Sequence, residues 1–138
     1  MASDRVAFFE LDVRDASAVA AACADFAARC GGRVASFVHC AAIFTSLSSS
    51  ATVAQFEASF EVNVLGAVCA VRALRPFMRA NGGGAVVLMS STAASVAQRQ
   101  RWTYAATKGA LTALTKVRQG RSQSAVMRRR AAKFLPED

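Results

Sequence analysis

Residues 86–91 read Val86-Val87-Leu88-Met89-Ser90-Ser91, and after a polar interval residues 104–108 read Tyr104-Ala105-Ala106-Thr107-Lys108. An apolar run of this length, preceded by Gly82-Gly83-Gly84 and closed by serines, predicts a buried strand with hydroxyls at its exit. Tyr104 and Lys108 are four apart, so on a helix they share one face. Ligands of open α/β sheets bind just beyond the carboxyl ends of strands. A hydroxyl, a phenol and an ammonium then converge on one crevice, a trio suited to proton transfer at an oxygen. A free tyrosine titrates near ~10, and a cation within hydrogen-bonding range lowers that by ~1–3 units. Lys108 would supply that field, Tyr104 the proton and Ser91 the orienting hydroxyl, and a positioned acid/base contributes roughly 10²–10⁴-fold. No side chain carries a hydride, so redox chemistry here needs a cofactor. Taken singly, Tyr104 and Lys108 are equally an exposed helix pair, and Ser90-Ser91 a strand terminus.

Working outward, residues 6–11 (VAFFEL) form a β-favouring run ending at Asp12-Val13. Asp15 or Ser17 starts a helix with Val19, Ala22, Cys23, Phe26 and Ala27 on one stripe, stopped by Gly31-Gly32. Residues 34–38 (VASFV) are a second strand, followed by His39-Cys40-Ala41-Ala42 and a serine-rich loop at 45–50. From Thr52 to about Arg79 the apolar spacing is helical, as one helix or two in succession, with Phe56, Phe60, Val64, Val68, Val71, Leu74 and Met78 on its stripe. The third strand and the Tyr104 helix, running to about Lys116, complete a strand–helix alternation. That order predicts parallel strands with right-handed crossovers. The expected fold is α/β: about three parallel strands with flanking helices, a partial doubly wound sheet over residues 1–117.

The chain of 138 residues carries a formal charge of +8, concentrated toward its end. Residues 118–138 hold six of the seventeen basic residues and two of the nine acidic ones. They form a separate basic tail in which 125–135 fits a short helix with Met127, Ala131, Phe134 and Leu135 inward. Arg128-Arg129-Arg130 lacks the interleaved aromatics of a single-strand binder. A solvated helix face, an acidic-membrane or nucleic-acid patch, and a run without function are its three readings, and the last is preferred. The four cysteines form no C-x-x-C pair and His39 is the one histidine, so a metal site is not expected. Without a signal core or a long apolar run, a cytoplasmic protein with no membrane span is expected.

Between residues 6 and 116 the chain resembles the middle of a short-chain dehydrogenase/reductase, truncated at both ends. Asp12-Val13 matches that family's Asp-Val after its third strand. His39-Cys40-Ala41-Ala42 stands where the family has Asn-Asn-Ala-Gly, keeping only the alanine. Asn63, in Val62-Asn63-Val64-Leu65-Gly66, matches the helix asparagine, and Ser91, Tyr104 and Lys108 match the remaining catalytic positions at the usual interval.

The resemblance implies a Rossmann-like fold and NAD(P)-dependent oxidation or reduction of a small alcohol or carbonyl. Tyr104 would be the acid/base, and Lys108 would lower its pKa and hold the nicotinamide ribose. Ser91 would polarise the substrate oxygen, and Asn63 would link a proton relay to the lysine. Asp12, Val13 and Ala41 would line the cofactor. Asp12 is read equally as a turn or capping residue, and His39 as a strand-end filler.

The family's T-G-x-x-x-G-x-G turn, which brings backbone amides to the cofactor pyrophosphate, has no counterpart here. NAD or NADP binding is therefore expected to be weak or absent, and turnover slight. In the order 3-2-1-4-5-6 the three strands would be numbers three, four and five, so the first is the least secure. A second class of function is a non-catalytic module that pairs with itself or with a full-length relative through helices 52–79 and 104–116. Nucleic-acid binding is not expected.

Overall fold

The computed structural model describes residues 6–44 and 50–120, with side chains through Lys116. The tail from 121 onward, including the helix expected at 125–135, lies outside the described residues. In chain order the elements are helix α1 (Ala16–Arg29), strand β1 (Ser36–His39), helix α2 (Val53–Phe60), a π-helical segment (Glu61–Leu65), helix α3 (Gly66–Ala80), strand β2 (Ala85–Leu88), a 3₁₀ turn (Thr92–Ala94) and helix α4 (Trp102–Gly120).

Asp15 caps α1, its Oδ1 accepting from the amides of Ser17 and Ala18 at 2.9 Å each. The helix stops where Gly31 and Gly32 take positive φ, +64° and +78°, and the Gly32 amide returns to the Ala27 carbonyl at 2.8 Å. Thr52 opens α2 with a capping box: its Oγ1 accepts from Gln55 N while Gln55 Oε1 accepts from Thr52 N. The stretch expected to hold one or two helices holds two joined without a break, the junction being one wide π turn. Gly82 and Gly83 end the α3 turn, again at positive φ.

β1 and β2 pair in parallel with Phe37 opposite Val86 and His39 opposite Leu88. Phe37 and Val86 pack onto a core of Ala27, Val34, Leu74 and Met78, which joins α1 and α3 to one face of the sheet. α4 packs against β2, α2 and the π segment. The fold is thus a partial Rossmann-like α/β unit with two parallel strands.

The third strand expected at 6–11 does not form. Residues 6–11 keep the alternation of an extended chain, with Val6 and Phe8 81% and 88% exposed and Ala7, Phe9 and Leu11 turned inward. Arg29 at the end of α1 lies over the Phe9 ring, 5.9 Å from its centroid. The period-two pattern sets the conformation, but a strand needs a neighbour to complete its backbone hydrogen bonds. In the doubly wound order two further strands separate this segment from β1, and it rests on α1 instead.

Hydrogen exchange measures the difference: amides at 8–11 should exchange orders of magnitude faster than those at 86–88, as unpaired backbone does beside a ladder. Equal protection would restore the third strand.

Candidate active site

Lys108 is 2% exposed, and its Nζ donates to the Met89 carbonyl, one residue past β2, at 2.7 Å. The ammonium is thus pinned from α4 to the carboxyl end of a strand. It stands 5.6 Å from the centroid of the Tyr104 ring, one helical turn earlier. That ring is half-buried and meets the edge of Phe44 at 4.9 Å between centroids, while the Arg101 guanidinium lies 4.4 Å over Phe44. Tyr104 therefore sits between an aromatic edge and a cation.

Asn63 is fully buried in the π segment. Its Oδ1 accepts from the Ile43 amide at 2.7 Å, and its Nδ2 donates to the Ile43 carbonyl and to Thr107 Oγ1 at 3.0 Å each. Thr107 Oγ1 in turn donates to the Tyr104 carbonyl at 2.8 Å. One amide thus ties the loop after β1 to the turn of α4 that bears Tyr104 and Lys108. Single-turn π bulges inside helices frequently mark such positions, because the extra residue re-aims a side chain.

The two serines divide their work. Ser90 Oγ lies 3.0 Å from the Lys108 carbonyl and 2.7 Å from Thr112 Oγ1, docking the strand end onto α4. Ser91 Oγ accepts from the Ala93 amide at 3.2 Å and caps the 3₁₀ turn. Its hydroxyl hydrogen is left to donate elsewhere, but no hydrogen bond joins it to Tyr104 or Lys108 among the described residues.

His39 is 4% exposed, and its Nε2 has no hydrogen-bond partner among the described residues. Burial first, and then the nearby Lys108 charge, push its pKa below the ordinary histidine value, against a hydrogen bond with the Ala41 backbone. The neutral ring is a packed strand-end group. Ala41 lies half-buried between it and the clamped Ile43.

Asp12 and Val13 lie apart from this cluster. Arg14 closes back on Asp12, its Nε and second guanidinium nitrogen 2.9 and 2.6 Å from Oδ2, and the Arg14 amide reaches Oδ1 at 2.9 Å. Hydrogen bonds from that guanidinium, above all, and from the Arg14 backbone lower the Asp12 pKa to about 2. The Asp12 carbonyl also accepts from the Asp15 amide at 3.0 Å, so Asp12 forms the turn that leads into α1. Val13 covers Gly66: a Cβ there would come within 2.9 Å of Val13 Cγ2. An open cavity of about 630 Å³ lies beside these residues, lined also by Glu61, Leu65 and Cys69, and neither Tyr104 nor Lys108 borders it. Sequence reasoning missed Phe44, Thr107 and the docking role of Ser90. Only Thr107, which shares a helix stripe with Thr103 and Leu111, left a signal, as a polar residue at core spacing.

Two outcomes follow. Asn63→Ala removes a partner from the Ile43 amide, the Ile43 carbonyl and Thr107, whose hydroxyl keeps the Tyr104 carbonyl, and should cost about 2–3 kcal/mol in urea unfolding. A loss within ~0.5 kcal/mol, the range of an uninvolved surface substitution, would show that the clamp does not hold the loop. Asp12 is held below its ordinary 3.8 in the folded chain, so the stability it contributes is fully present above about 3.8 and lost as pH falls through about 2. A carboxyl NMR titration should place its midpoint near 2, and Arg14→Gln should return it toward 3.8.

Comparison with known proteins bears on the whole arrangement. A family model described as short chain dehydrogenase matches residues 1–125. Over 61 residues the chain is 39% identical to L-fucose dehydrogenase of Mus musculus, covering 44% of this chain and 22% of that protein. A short-chain dehydrogenase from Streptomyces avermitilis aligns with a TM-score of 0.74 at 32% identity, over 83% of this chain and 43% of that one. Gluconate 5-dehydrogenase from Burkholderia cenocepacia, solved in complex with NADP and tartrate, aligns at 0.73 and 29% identity, over 80% and 44%. The chain spans less than half the length of each of these relatives. With the family model covering nearly all of its length, the chain belongs to the short chain dehydrogenase family.

Proposed function

We propose that the chain carries the acid/base half of an NAD(P)-dependent oxidoreductase acting on an alcohol or carbonyl, and that alone it binds dinucleotide weakly and turns over little. The observation that carries this is the buried Lys108 ammonium, held by Met89 at a strand end one turn from Tyr104. Among the described residues it uses one of its three N–H donors, leaving two for hydroxyls such as those of a ribose. That end of a dinucleotide fits Lys108, Tyr104 and Ala41. The other end is less well provided for, because Asp12 is engaged by Arg14 and Val13 by Gly66.

The nicotinamide supplies or accepts the hydride when bound. Tyr104 holds the exchanging proton on its phenol oxygen, giving it to a carbonyl oxygen or taking it from an alcohol. Lys108 presents its charge to the phenolate that remains. Ser91, with one lone pair taken by the Ala93 amide, orients the substrate oxygen through its hydroxyl hydrogen. Asn63 keeps the turn bearing Tyr104 and Lys108 in register with the loop at Ala41, and any relay of protons to Lys108 starts from that clamp. The four free cysteines fit a reducing compartment, the cytoplasm, and among the described residues no helix is long and apolar enough to cross a membrane.

Exposed Leu65, Trp102 and Leu114 on these helices favour a second reading, a non-catalytic module that pairs with another copy or a full-length relative. Light scattering on the mixture separates the two: a stable complex supports pairing, and a persistent monomer excludes it.

Titration calorimetry with NADH and NADPH should give a Kd no tighter than about 1 mM, some 4 kcal/mol. A micromolar Kd would overturn the weak-binding part. Whatever alcohol-dependent reduction of NAD(P) the chain shows should fall at least ~100-fold in Tyr104→Phe, and an unchanged rate would overturn the acid/base assignment.

A further inference from the structure

Arg101 stands three residues before Tyr104, and its charge is not matched by any described carboxylate. Its guanidinium lies 4.4 Å over the Phe44 ring, and the same ring meets Tyr104 at 4.9 Å between centroids. One exposed aromatic thus touches both the cation and the phenol. Arg101 is half-buried, whereas its neighbours Arg99 and Trp102 are exposed. The ion pairs among the described residues join Arg14 to Asp12 and Arg29 to Asp25. No described residue accepts a hydrogen bond from the five N–H donors of Arg101. The backbone that delivers this side chain is strained. Gln100 has φ +59°, and among the described residues it alone, apart from glycines, lies at positive φ. Residues with a Cβ adopt that region rarely, and such strain gathers at ligand clamps. The position is also electrostatically poor for a cation. α4 begins at Trp102 with no acidic residue in its first turn, so Arg101 faces the positive end of the helix uncompensated.

We propose that Arg101 determines substrate specificity, and that the substrate is a hydroxy or oxo acid whose carboxylate it holds while the oxygen at Tyr104 reacts. This rests on the acid/base reading of Tyr104 and Lys108. A bound carboxylate accounts for all three features: it supplies the missing counter-charge, offsets the helix end and repays the strained turn. The guanidinium fork matches two carboxylate oxygens in shape and one negative charge in magnitude, whereas a phosphate brings nearly twice that charge. Lys108 is not the group that meets such an anion arriving from solvent, because it is 2% exposed and tied to the Met89 carbonyl. Phe44, 48% exposed, offers the carbon skeleton of the ligand an apolar wall between the two polar ends.

NMR titration of the intact chain tests this, with the Tyr104 ring signals and the Arg101 Nε–H signal as reporters. Glycolate, 3-hydroxypropionate and 4-hydroxybutyrate move the carboxylate stepwise away from the hydroxyl, and each is compared with its uncharged amide. At least one acid should shift both reporters and bind about tenfold tighter than its amide, as a charge-assisted hydrogen bond provides. Arg101→Leu keeps an apolar side chain against Phe44; it should abolish the preference and leave the affinity for the amide unchanged. Arg101→Lys should retain part of the preference, because an ammonium keeps the charge and lacks the fork. Equal affinity for every acid and its amide at Tyr104, or a preference that survives Arg101→Leu, would overturn the proposal and leave the acid/base reading standing. Should no probe, charged or neutral, shift the Tyr104 ring, the acid/base reading fails and the proposal with it.

Discussion

A buried carboxamide has four hydrogen-bonding valences and no water to satisfy them, and Asn63 meets that demand by joining two parts of the chain that are remote in sequence. Its oxygen accepts from the Ile43 amide, and its nitrogen donates both to the Ile43 carbonyl and to Thr107. The Phe44 ring, against Tyr104 and under Arg101, is a further contact between the loop after β1 and the first turns of α4. Remove the amide and the Ile43 amide and carbonyl lose their side-chain partner, while Thr107 keeps the Tyr104 carbonyl. The rest of the cluster inherits its geometry from this clamp, because Thr107 is bound to the Tyr104 carbonyl and sits next to Lys108. Lys108 adds a second tie, to Met89, so α4 is fixed both to β2 and to the loop after β1.

The π turn is what lets Asn63 do this. A regular helix over residues 53–80 would advance each side chain by the same angle, and its apolar stripe would serve the core throughout. The wide turn at Glu61–Leu65 breaks that regularity and puts Asn63 and Val64 into the interior together. Nothing in the composition of EVNVL distinguishes it from an ordinary turn, so the periodicity of Phe56 through Met78 announced a helix and concealed its defect. The same holds for Gly66. Its position at the close of the π turn is explained by Val13 lying on it, a contact between segments more than fifty residues apart.

What local pattern determines was legible. The Asp15 cap, the glycine stop at Gly31-Gly32, the two strands and the shared face of Tyr104 and Lys108 each follow from residues a few positions apart. What depends on a distant partner was not. Residues 6–11 carry a strand's alternation and, lacking a neighbour, stay outside the sheet. Of Ser90 and Ser91, the one hydrogen-bonded to α4 is set by the direction in which β2 leaves the sheet, which places Ser90 inward and Ser91 at the cap of the following turn. Phe44, against the Tyr104 ring, comes from a loop with no periodicity to read.

The division of the molecule into a tight end and a loose end has a physical consequence for ligand binding. At the Tyr104 end Asn63, Thr107 and Lys108 are buried and held by hydrogen bonds to the loop after β1 and to the end of β2, so little ordering entropy is lost when a ligand arrives. At the Asp12 end the same kinds of residue are committed elsewhere: the carboxylate to Arg14, the valine to Gly66. A ligand reaching both ends would have to displace a charge-assisted pair that is exposed and already hydrated on its far side. That exchange gains little, since one solvated partner replaces another. The Asp12 turn meets the rest of the chain where Val13 lies on Gly66, at the close of the π turn that also carries Asn63.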